Sequence, residues 1–389
     1  MKIYVCLLSL FLIILQVHAK CGLLCEFAIA NKKFTADVYE HAINQQEGNF
    51  LICPLSVQII MGLVRFGARG NTASELTLHI NKSNEEIGNM FIQLTDNLRN
   101  SSKVILTSAN SIFLSNKYVI NKDYNKVANI VFKATVNNVD FTKPKVAIDY
   151  INAWVEENTH NKIKNVLSKN SVSVDTAALL INTMYFHGNW IYQFDPHSTH
   201  KSKFYVNKHR TVDVDMMATD EYYNYYDDKK LNAQFIEFPF EGGDITMTII
   251  LPKERFGLFN LETQIFDILA VPQYQREKVE VFIPKFQVES EINIKSILQA
   301  MGVKSAFNRN ADFSEISDSQ PPLIIDNIVQ KTFLEINEKG ATAAASTAVV
   351  MTTLSLPWHT FHANHPFLYY LKHKINGIIF IGRYISPDV

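Results

Sequence analysis

The chain has 389 residues, of which 47% are hydrophobic and 12% aromatic, so it can bury a large core as one large domain or as two or three smaller ones. Its 37 Lys and Arg residues are balanced by 38 Asp and Glu, which leaves a formal net charge of −1. This balance gives no support for binding to nucleic acid or to a membrane surface, and we predict neither partner.

The first residues have the pattern of a secretory signal. Lys2 is followed by an apolar run from Ile3 to Leu15, and Val17 and Ala19 stand at the third and first positions before a cut. The run is too short to span a bilayer comfortably. We predict a signal peptide over residues 1–19 and a secreted, extracellular mature chain.

Three of the four cysteines remain after this cleavage, because Cys6 lies in the signal. A bridge between Cys21 and Cys25 is compatible with an oxidising compartment, but the pattern is no disulfide framework. Cys53 stands in the apolar run NFLICPLS and is predicted to be a small buried hydrophobe. The cysteine spacing predicts no metal site.

Two Asn residues have the acceptor pattern for N-linked glycosylation. Asn81 opens NKS and Asn100 opens NSS. The pattern has meaning only in a chain that passes through the secretory pathway, which the N-terminus predicts. We therefore predict a glycoprotein modified at both positions.

Helical periodicity dominates the first part of the chain. Apolar residues three and four apart predict helices in FTADVYEHAI, SVQIIMGLVRFG and KVAIDYINAWVEENTHNKI. Pro54 stands just before the second of these, where its missing N–H costs nothing. Thr72, in GARGNTASEL, is a candidate cap for the helix that follows.

Strand patterns dominate from about residue 177. AALLINTMYF, AQFIEFPF, ITMTIILP, VEVFIPKF and GIIFIGRYI are short β-branched and aromatic runs bounded by Gly, Pro or charged turns. Helices early and strands late, without regular βαβ alternation, predict an α+β fold. No linker divides the chain, so we predict one domain over residues 20–389.

The sequence gives no support for catalysis. The motifs GxSxG, HExxH, GxxxxGKS/T and GxGxxG do not occur in it. His359, His362 and His365 recur three apart, but Pro357 and Pro366 flank them, so a helical face of metal ligands is not predicted. We predict a protein that is not an enzyme, with no catalytic residue, no metal and no cofactor.

The run ATAAASTAVV, residues 341–350, is unusually small and bland for a chain rich in large apolar residues. A flexible linker and an Ala-rich helix are the ordinary interpretations. Its alanines favour a helix, whereas Gly340 at its start and β-branched residues such as Thr347 and Val349 do not.

Together with the preceding residues, this run resembles a known element. EINEKGATAAASTAVV is similar to the hinge and proximal reactive loop of the serpins, suicide inhibitors of serine and cysteine proteases. GNFLICPLSV, FGARGNTASEL, INAWVEENTHNKI, LINTMYFHGNW, VFIPKF, ADFS, HPFLYYL and FIGRYISP follow the family's order, and the resemblance runs from about residue 26 to the C-terminus. The general style is similar to arthropod serpins. Cys53, Thr183, Gln330 and Ala341 depart from common family residues without adding charge or bulk to the hinge.

The resemblance implies a fold and a mechanism. Helices would pack on three β-sheets, and a reactive-centre loop at about residues 338–362 would stand exposed as bait, then insert as a central strand after cleavage. Side chains on a strand alternate between faces. The inward set would be Ala341, Ala343, Ala345, Thr347, Val349, Met351 and Thr353, all uncharged. Gly340 supplies backbone freedom at the pivot, and the implied hinge comprises Glu338, Gly340, Ala341, Ala343, Ala344 and Ala345.

The resemblance also implies a reactive bond and a partner. Counting from the hinge places the bond between Leu354 and Ser355, which we prefer, whereas counting back from ANHPF places it at Met351 and Thr352. Leu fits an apolar primary pocket, so we predict a chymotrypsin-, elastase- or cathepsin G-like serine protease as covalent partner of a monomeric inhibitor. The alternative is a non-inhibitory serpin acting as a carrier, although such relatives often have bulky, charged or Pro residues in the hinge.

Overall fold

The computed structural model describes residues 22–77, 79–80, 82–100, 103–270, 273–341 and 359–387, with the side chains of residues 99 and 100 left aside. Its α-helices are α1 (Leu23–Ala42), α2 (Pro54–Phe66), α3 (Gly70–Glu75), α4 (Asn84–Asn100), α5 (Lys122–Phe132), α6 (Pro144–Asn158), α7 (Leu258–Glu262), α8 (Ile265–Ile268) and α9 (Ile294–Ala300). The predicted signal peptide lies outside the described residues.

The strands concentrate in the later part of the chain. They are β1 (Phe50–Ile52), β2 (Val104–Ser115), β3 (Thr135–Val139), β4 (Ala178–Asn189), β5 (His200–Tyr205), β6 (Thr211–Asp228), β7 (Ala233–Pro239), β8 (Ile245–Pro252), β9 (Gln275–Pro284), β10 (Phe286–Asn293), β11 (Ile325–Ile336), β12 (Gly340–Ala341), β13 (His359–His362), β14 (Phe367–His373) and β15 (Gly377–Tyr384). The predicted α+β class is therefore confirmed.

The described strands form two hydrogen-bonded sheets, where the resemblance implied three. The large sheet has the order β1–β15–β14–β8–β7–β6–β9–β13, with β5 beside β6, and the six-stranded sheet has the order β10–β11–β4–β2–β3, with β12 beside β4. The count differs because β6 runs for 18 residues. It pairs with β5 along its first six residues, with β9 from Met216 to Tyr225 and with β7 from Asn224 to Asp228, which joins these strands into one sheet.

The predicted helices are confirmed, with two local differences. Pro54 opens α2, which is buried from Pro54 to Val64 and forms the centre of the main core. The helix predicted in KVAIDYINAWVEENTHNKI ends at Asn158, before the end of that pattern. Thr72 is not a cap, because it lies inside α3, where its buried hydroxyl accepts a hydrogen bond from the Asp312 backbone N–H at 3.0 Å.

The six-stranded sheet is covered on both faces. The main core with α2 lies on one face, and a second cluster on the other face packs Ile151 and Val155 of α6 against Ile181 and Tyr185 of β4. Alternate residues of β4 therefore point into two separate apolar layers. No helix within the described ranges is long and apolar enough to cross a membrane.

Candidate functional site at the hinge and the β4–β11 seam

The seam is the contact between β4 and β11, which run parallel to each other in the six-stranded sheet. Their pairing extends from Ala178 and Ile325 to Tyr185 and Phe333 and stops there. Beyond that point β12 lies beside the end of β4, antiparallel to it. The sheet is closed along most of the seam and begins to accept another strand at one end.

The two residues of β12 fit this opening closely. Gly340 has φ +137°, a backbone conformation that L side chains rarely adopt, and a Cβ on it would lie 2.1 Å from the Gly188 carbonyl oxygen. Ala341 pairs with Gly188 and is fully buried. A small residue therefore follows glycine where the chain enters the sheet.

Residues 337–339, the hinge root, are held from both sides. Trp190, a buried residue stacked on Phe240 at 4.3 Å between ring centroids, donates from Nε1 to the Asn337 carbonyl at 3.0 Å and from its backbone N–H to the Lys339 carbonyl at 2.8 Å. The Glu338 carbonyl accepts from the Phe194 N–H at 2.8 Å. The backbone that precedes β12 is thus fixed to the end of β4.

The Glu338 side chain adds a charged anchor to the hinge root. Its Oε1 accepts from Lys285 Nζ at 2.9 Å and from Thr199 Oγ1 at 2.8 Å. Burial raises the pKa of the Glu338 carboxyl, but the hydrogen bonds and the Lys285 charge outweigh it, so the pKa lies below its ordinary value. The carboxylate is stabilised in its charged form.

His187, two residues beyond the end of the seam, contacts the first residues of the loop. Its imidazole makes a hydrogen bond with the Ala341 backbone. Burial and the Lys162 charge lower the pKa of His187, and the Ala341 contact and Glu335 only partly oppose them. A predominantly neutral imidazole therefore borders the entrance to the seam at neutral pH.

A buried polar network closes the seam farther from β12, around Gln330 and Asn182. Gln330 of β11 faces Asn182 of β4, and its Nε2 donates to Asn182 Oδ1 at 2.5 Å, to Ser56 Oγ at 3.0 Å and to the Cys53 carbonyl at 3.0 Å. Gln330 Oε1 accepts from the Cys53 N–H at 2.8 Å. Gln330, Asn182 and Ser56 are fully buried. A strand entering between β4 and β11 must break the Gln330–Asn182 contact.

This arrangement places the first residues of the loop at the open end of the seam, and comparison with known proteins identifies the family. A family model described as Serpin (serine protease inhibitor) matches residues 29–387. The chain belongs to the serpin family. The family description is that of protease inhibitors.

The relatives of this serpin include insect proteins and a human carrier. Antitrypsin of Bombyx mori is 34% identical over 367 residues, which cover 92% of this chain and 93% of that protein. Serpin48 of the insect Tenebrio molitor matches with a TM-score of 0.88 and 35% identity over 93% of this chain and 98% of that one. Human thyroxine-binding globulin matches with a TM-score of 0.87 and 25% identity over 94% and 100%.

The structure brings together three of the predicted hinge residues of this serpin. Glu338, Gly340 and Ala341 lie in the hinge root and β12. The other predicted hinge residues, both versions of the reactive bond and one glycosylation site lie outside the described residues: Ala343, Ala344, Ala345, Met351, Thr352, Leu354, Ser355 and Asn81. Asn100 is the last residue of α4.

The cysteines and the three spaced histidines are placed as follows. Cys53 is free and buried, as predicted, and burial raises the pKa of its thiol to about 12. Cys25 is disulfide-bonded, and Cys21 lies outside the described residues. His359 is the first residue of β13 and His362 is its last. No group of three His, Cys, Asp or Glu side chains in the described part of the chain is placed to hold a metal ion.

The sequence alone did not identify the groups that hold the hinge. Thr199 and Lys285 contact Glu338 from other strands and turns, and no local pattern marks either of them. Trp190 was visible only as part of a family-like motif. Gln330 was noticed as a departure from the family, and its network explains why a polar residue occupies a buried strand position.

Proposed function

We propose that this serpin is a secreted inhibitor that traps a serine protease as an acyl-enzyme by inserting its cleaved loop between β4 and β11. The observation that carries this proposal is β12. Two hinge residues are already paired antiparallel to β4, next to the point where the seam opens. Insertion would then continue a ladder that has begun, while β4 and β11 separate along the seam.

The register of β12 sets how far that ladder can run. Gly340 pairs with Asn189 and Ala341 with Gly188, so each further loop residue meets the preceding residue of β4. Continued to the end of β4, this register places Met351 opposite Ala178. The odd-numbered residues from Ala341 to Met351 then share the face of Gly188, toward the main core.

The same register favours Leu354–Ser355 as the reactive bond. Met351 would pair with Ala178, the first residue of β4, and Leu354 would lie three residues past it. A protease joined to Leu354 would be carried beyond the end of the sheet, whereas one joined to Met351 would meet the sheet edge. We prefer Leu354–Ser355 because the longer inserted segment carries the attached enzyme farther along the sheet.

The target we propose is a serine protease with an apolar primary pocket, of the chymotrypsin or elastase kind. Leu354 and Met351 are both apolar, and a trypsin-like acidic pocket selects basic residues instead. The name of the silkworm relative, antitrypsin, refers to a different preference of that protein. Residue identity at the bond outweighs overall similarity here, because the pocket contacts that residue directly.

The test is to mix the purified protein with chymotrypsin, elastase and trypsin and to analyse the mixtures on denaturing gels and by mass spectrometry. We expect a stable covalent complex with chymotrypsin or elastase and a released peptide that starts at Ser355. A peptide starting at Thr352 would move the bond to Met351. Cleavage by all three enzymes without any complex would contradict the inhibitory function.

A second function, transport of a ligand, has one specific observation in its favour. Thyroxine-binding globulin, a carrier by name, has nearly the same fold match as the insect serpin. Heating the cleaved protein separates the two functions. A large rise in melting temperature after cleavage means that the loop inserts, as an inhibitor requires, and no rise favours a carrier.

The secreted, arthropod-like character of the protein belongs to the same proposal. We propose that the mature chain starts at Lys20, that Cys21 pairs with Cys25, and that Asn81 and Asn100 carry glycans. N-terminal sequencing and intact mass before and after glycosidase treatment of protein expressed in insect cells test these points. An N-terminus at Met1 would contradict secretion.

A further inference from the structure

A cavity lies on the main-core side of the six-stranded sheet, between β2, α4 and α5. Its volume is about 280 Å³, close to the lower end of the range found for small-molecule sites, about 300–1,000 Å³. α2 and β4 complete its walls through Ile59 and Met184. The cavity is separate from the hinge, because none of its lining residues belongs to the hinge root or to β12.

Large apolar side chains form most of the cavity wall. Each of the five elements contributes one of them: Ile59, Leu98, Leu106, Phe132 and Met184. Ile59, Phe132 and Met184 are buried in the main core, and the other two pack against it. An aliphatic chain in this place is removed from water and gains dispersion contacts. The wall therefore favours a ligand with an aliphatic body.

The mouth of the cavity indicates the charge of the ligand. Ser108 and Lys133 line the cavity and are exposed, so they lie where it opens to solvent. Among the described residues that line it, Lys133 is charged and none is Asp or Glu. A carboxylate at the mouth would meet a cation and a hydroxyl, whereas an ammonium group would be repelled.

Lys133 has a defined position at this mouth. It follows the last residue of α5 in the left-handed conformation, with φ +51°, and its backbone N–H donates to the Ala128 carbonyl. Residues other than Gly, Asn and Asp adopt this conformation only rarely. The hydrogen bond therefore fixes the point from which the Lys133 side chain leaves the backbone.

The cavity is connected to the seam through hydrogen bonds. Asn110 of β2 pairs with Asn182 of β4. Asn110 Nδ2 donates to Ser108 Oγ at 3.0 Å, and Asn110 Oδ1 accepts from Asn182 Nδ2 at 2.5 Å. Asn182 is also the residue that Gln330 contacts across the seam. A hydrogen-bonded path thus leads from the mouth of the cavity to the contact that an entering strand must break.

The walls of the cavity also belong to the part of the sheet that must move. β2 and β4 form one side of the cavity, and helices form the other. β2 pairs with β4 from Val104 to Leu114, so it would move with β4 when β4 separates from β11. This movement would change the shape of the cavity. A ligand that fits the closed shape better than the open one stabilises the closed sheet.

We propose that the cavity binds a small aliphatic carboxylic acid, with its hydrocarbon chain among the apolar side chains and its carboxylate at Lys133 and Ser108, and that the bound acid holds the β4–β11 seam closed. The binding step is independent of the proposed function, whereas the effect on inhibition rests on it.

The first measurement is a calorimetric titration of the full-length protein with sodium octanoate at neutral pH. Octan-1-ol and octylamine have the same chain with a neutral and a positive head group. Lys133→Glu reverses the charge at the mouth, and Leu98→Trp fills space in the cavity from a half-buried position on α4. Lys122→Glu makes the same charge change at the exposed first residue of α5, away from the cavity, and is the matched control.

We expect one octanoate to bind per chain of the wild type and of Lys122→Glu, with roughly tenfold weaker binding to Lys133→Glu. Octan-1-ol should bind the wild type and Lys133→Glu equally, and octylamine should bind the wild type most weakly of the three. Leu98→Trp should lose the binding of both octanoate and octan-1-ol.

Three results would overturn the proposed site: no binding of octanoate to the wild type, equal affinity of the wild type and Lys133→Glu, or undiminished binding to Leu98→Trp. If Lys133→Glu does not fold, Lys133→Gln takes its place. An affinity of that variant equal to the wild type has the same meaning.

The second measurement follows the covalent complex with chymotrypsin on denaturing gels, with and without octanoate at a concentration that saturates the wild type. We expect octanoate to slow complex formation by the wild type roughly fivefold, because the seam must then open against the bound acid. Leu98→Trp should show no such effect. Equal slowing of the wild type and Leu98→Trp would assign the effect to the protease and would overturn the coupling.

The two proposals fail in distinguishable ways. If no protease forms a complex, the inhibitory function is wrong, and the titration still tests the site. If octanoate binds as expected but complex formation is unchanged, the coupling to the seam is wrong, and both the site and the inhibitory function stand.

Discussion

The two ends of the reactive loop are held by different kinds of contact. At the proximal end, Glu338 binds Lys285 and Thr199, and Trp190 binds the backbone on either side of Glu338. At the distal end, β13 relies on four residues of ladder and on the rings of His359 and His362. The proximal end is therefore held by a charged side chain and backbone hydrogen bonds, and the distal end by a short ladder and ring contacts.

The contacts at the two ends of the loop also weaken at different pH values. The lowered pKa of Glu338 means that its contribution to stability is present above about pH 4.3, the ordinary value for Glu, and is lost as the pH falls through the lower folded value. Loss at the distal end begins at milder acidity, because the group there is a histidine.

The largest effect is expected when entry of the loop into the six-stranded sheet is blocked at the proximal end. Ala341→Arg would place a charge at a fully buried position, where an unpaired charge costs several kcal/mol. We expect the variant to be cleaved by chymotrypsin without covalent complex on denaturing gels, and the same result for Ala343→Arg. The matched control is Thr342→Arg, one residue along and on the other face, which should retain complex formation. If Ala341→Arg formed as much covalent complex as the wild type, the loop would not enter the sheet in the register of β12.

A large effect is also expected at the seam between the two ends. Gln330→Leu removes the group that binds the Cys53 backbone, Ser56 and Asn182, and it leaves buried polar atoms unpaired at a cost of about 2–4 kcal/mol. We expect a lower melting temperature and faster spontaneous loss of inhibition. Glu335→Leu, on the same strand but beyond the paired part of the seam, serves as control. A melting temperature equal to that of the wild type would show that the network does not hold the sheet closed.

A moderate effect is expected at the charged anchor. Glu338→Gln removes the charge that Lys285 binds, and we expect a loss of about 1–2 kcal/mol in the free energy of unfolding at neutral pH. The double variant with Lys285→Met measures the coupling between the two side chains. The difference from wild type should begin to shrink as the pH falls below about 4.3 and disappear only below the lower pKa of the folded chain, where the carboxyl is protonated in both folded and unfolded chains. A difference that is constant with pH would assign the loss to packing instead.

The smallest effect is expected at the exposed end of β13. His359→Ala removes the stack on Tyr225, an interaction worth about 0.5–1 kcal/mol. We expect a small rise in hydrogen exchange within β13 and no change in exchange at the hinge root. A change of equal size at both ends would mean that the two anchors are one cooperative unit.

The sequence predicted the parts of the fold that local patterns encode. The core helix beginning at Pro54, the strand predicted in AALLINTMYF and the glycine at position 340 were all visible, because periodicity and backbone freedom depend on neighbours in the chain. The partners of Glu338 were not visible, since Thr199 and Lys285 meet it only through the folded sheets. Thr72 has a capping residue's chemistry, but a tertiary hydrogen bond to Asp312 uses its hydroxyl instead.

The parallel pairing of β4 and β11 has a consequence for the direction of the reaction. Parallel ladders are slightly less stable per residue than antiparallel ones. A strand that enters in the orientation of β12 runs antiparallel to both neighbours, so it exchanges one parallel ladder for two antiparallel ladders. Withdrawal of the inserted strand would have to break both antiparallel ladders at once. Under the proposed function, strand polarity therefore favours insertion over withdrawal, and each molecule would act once.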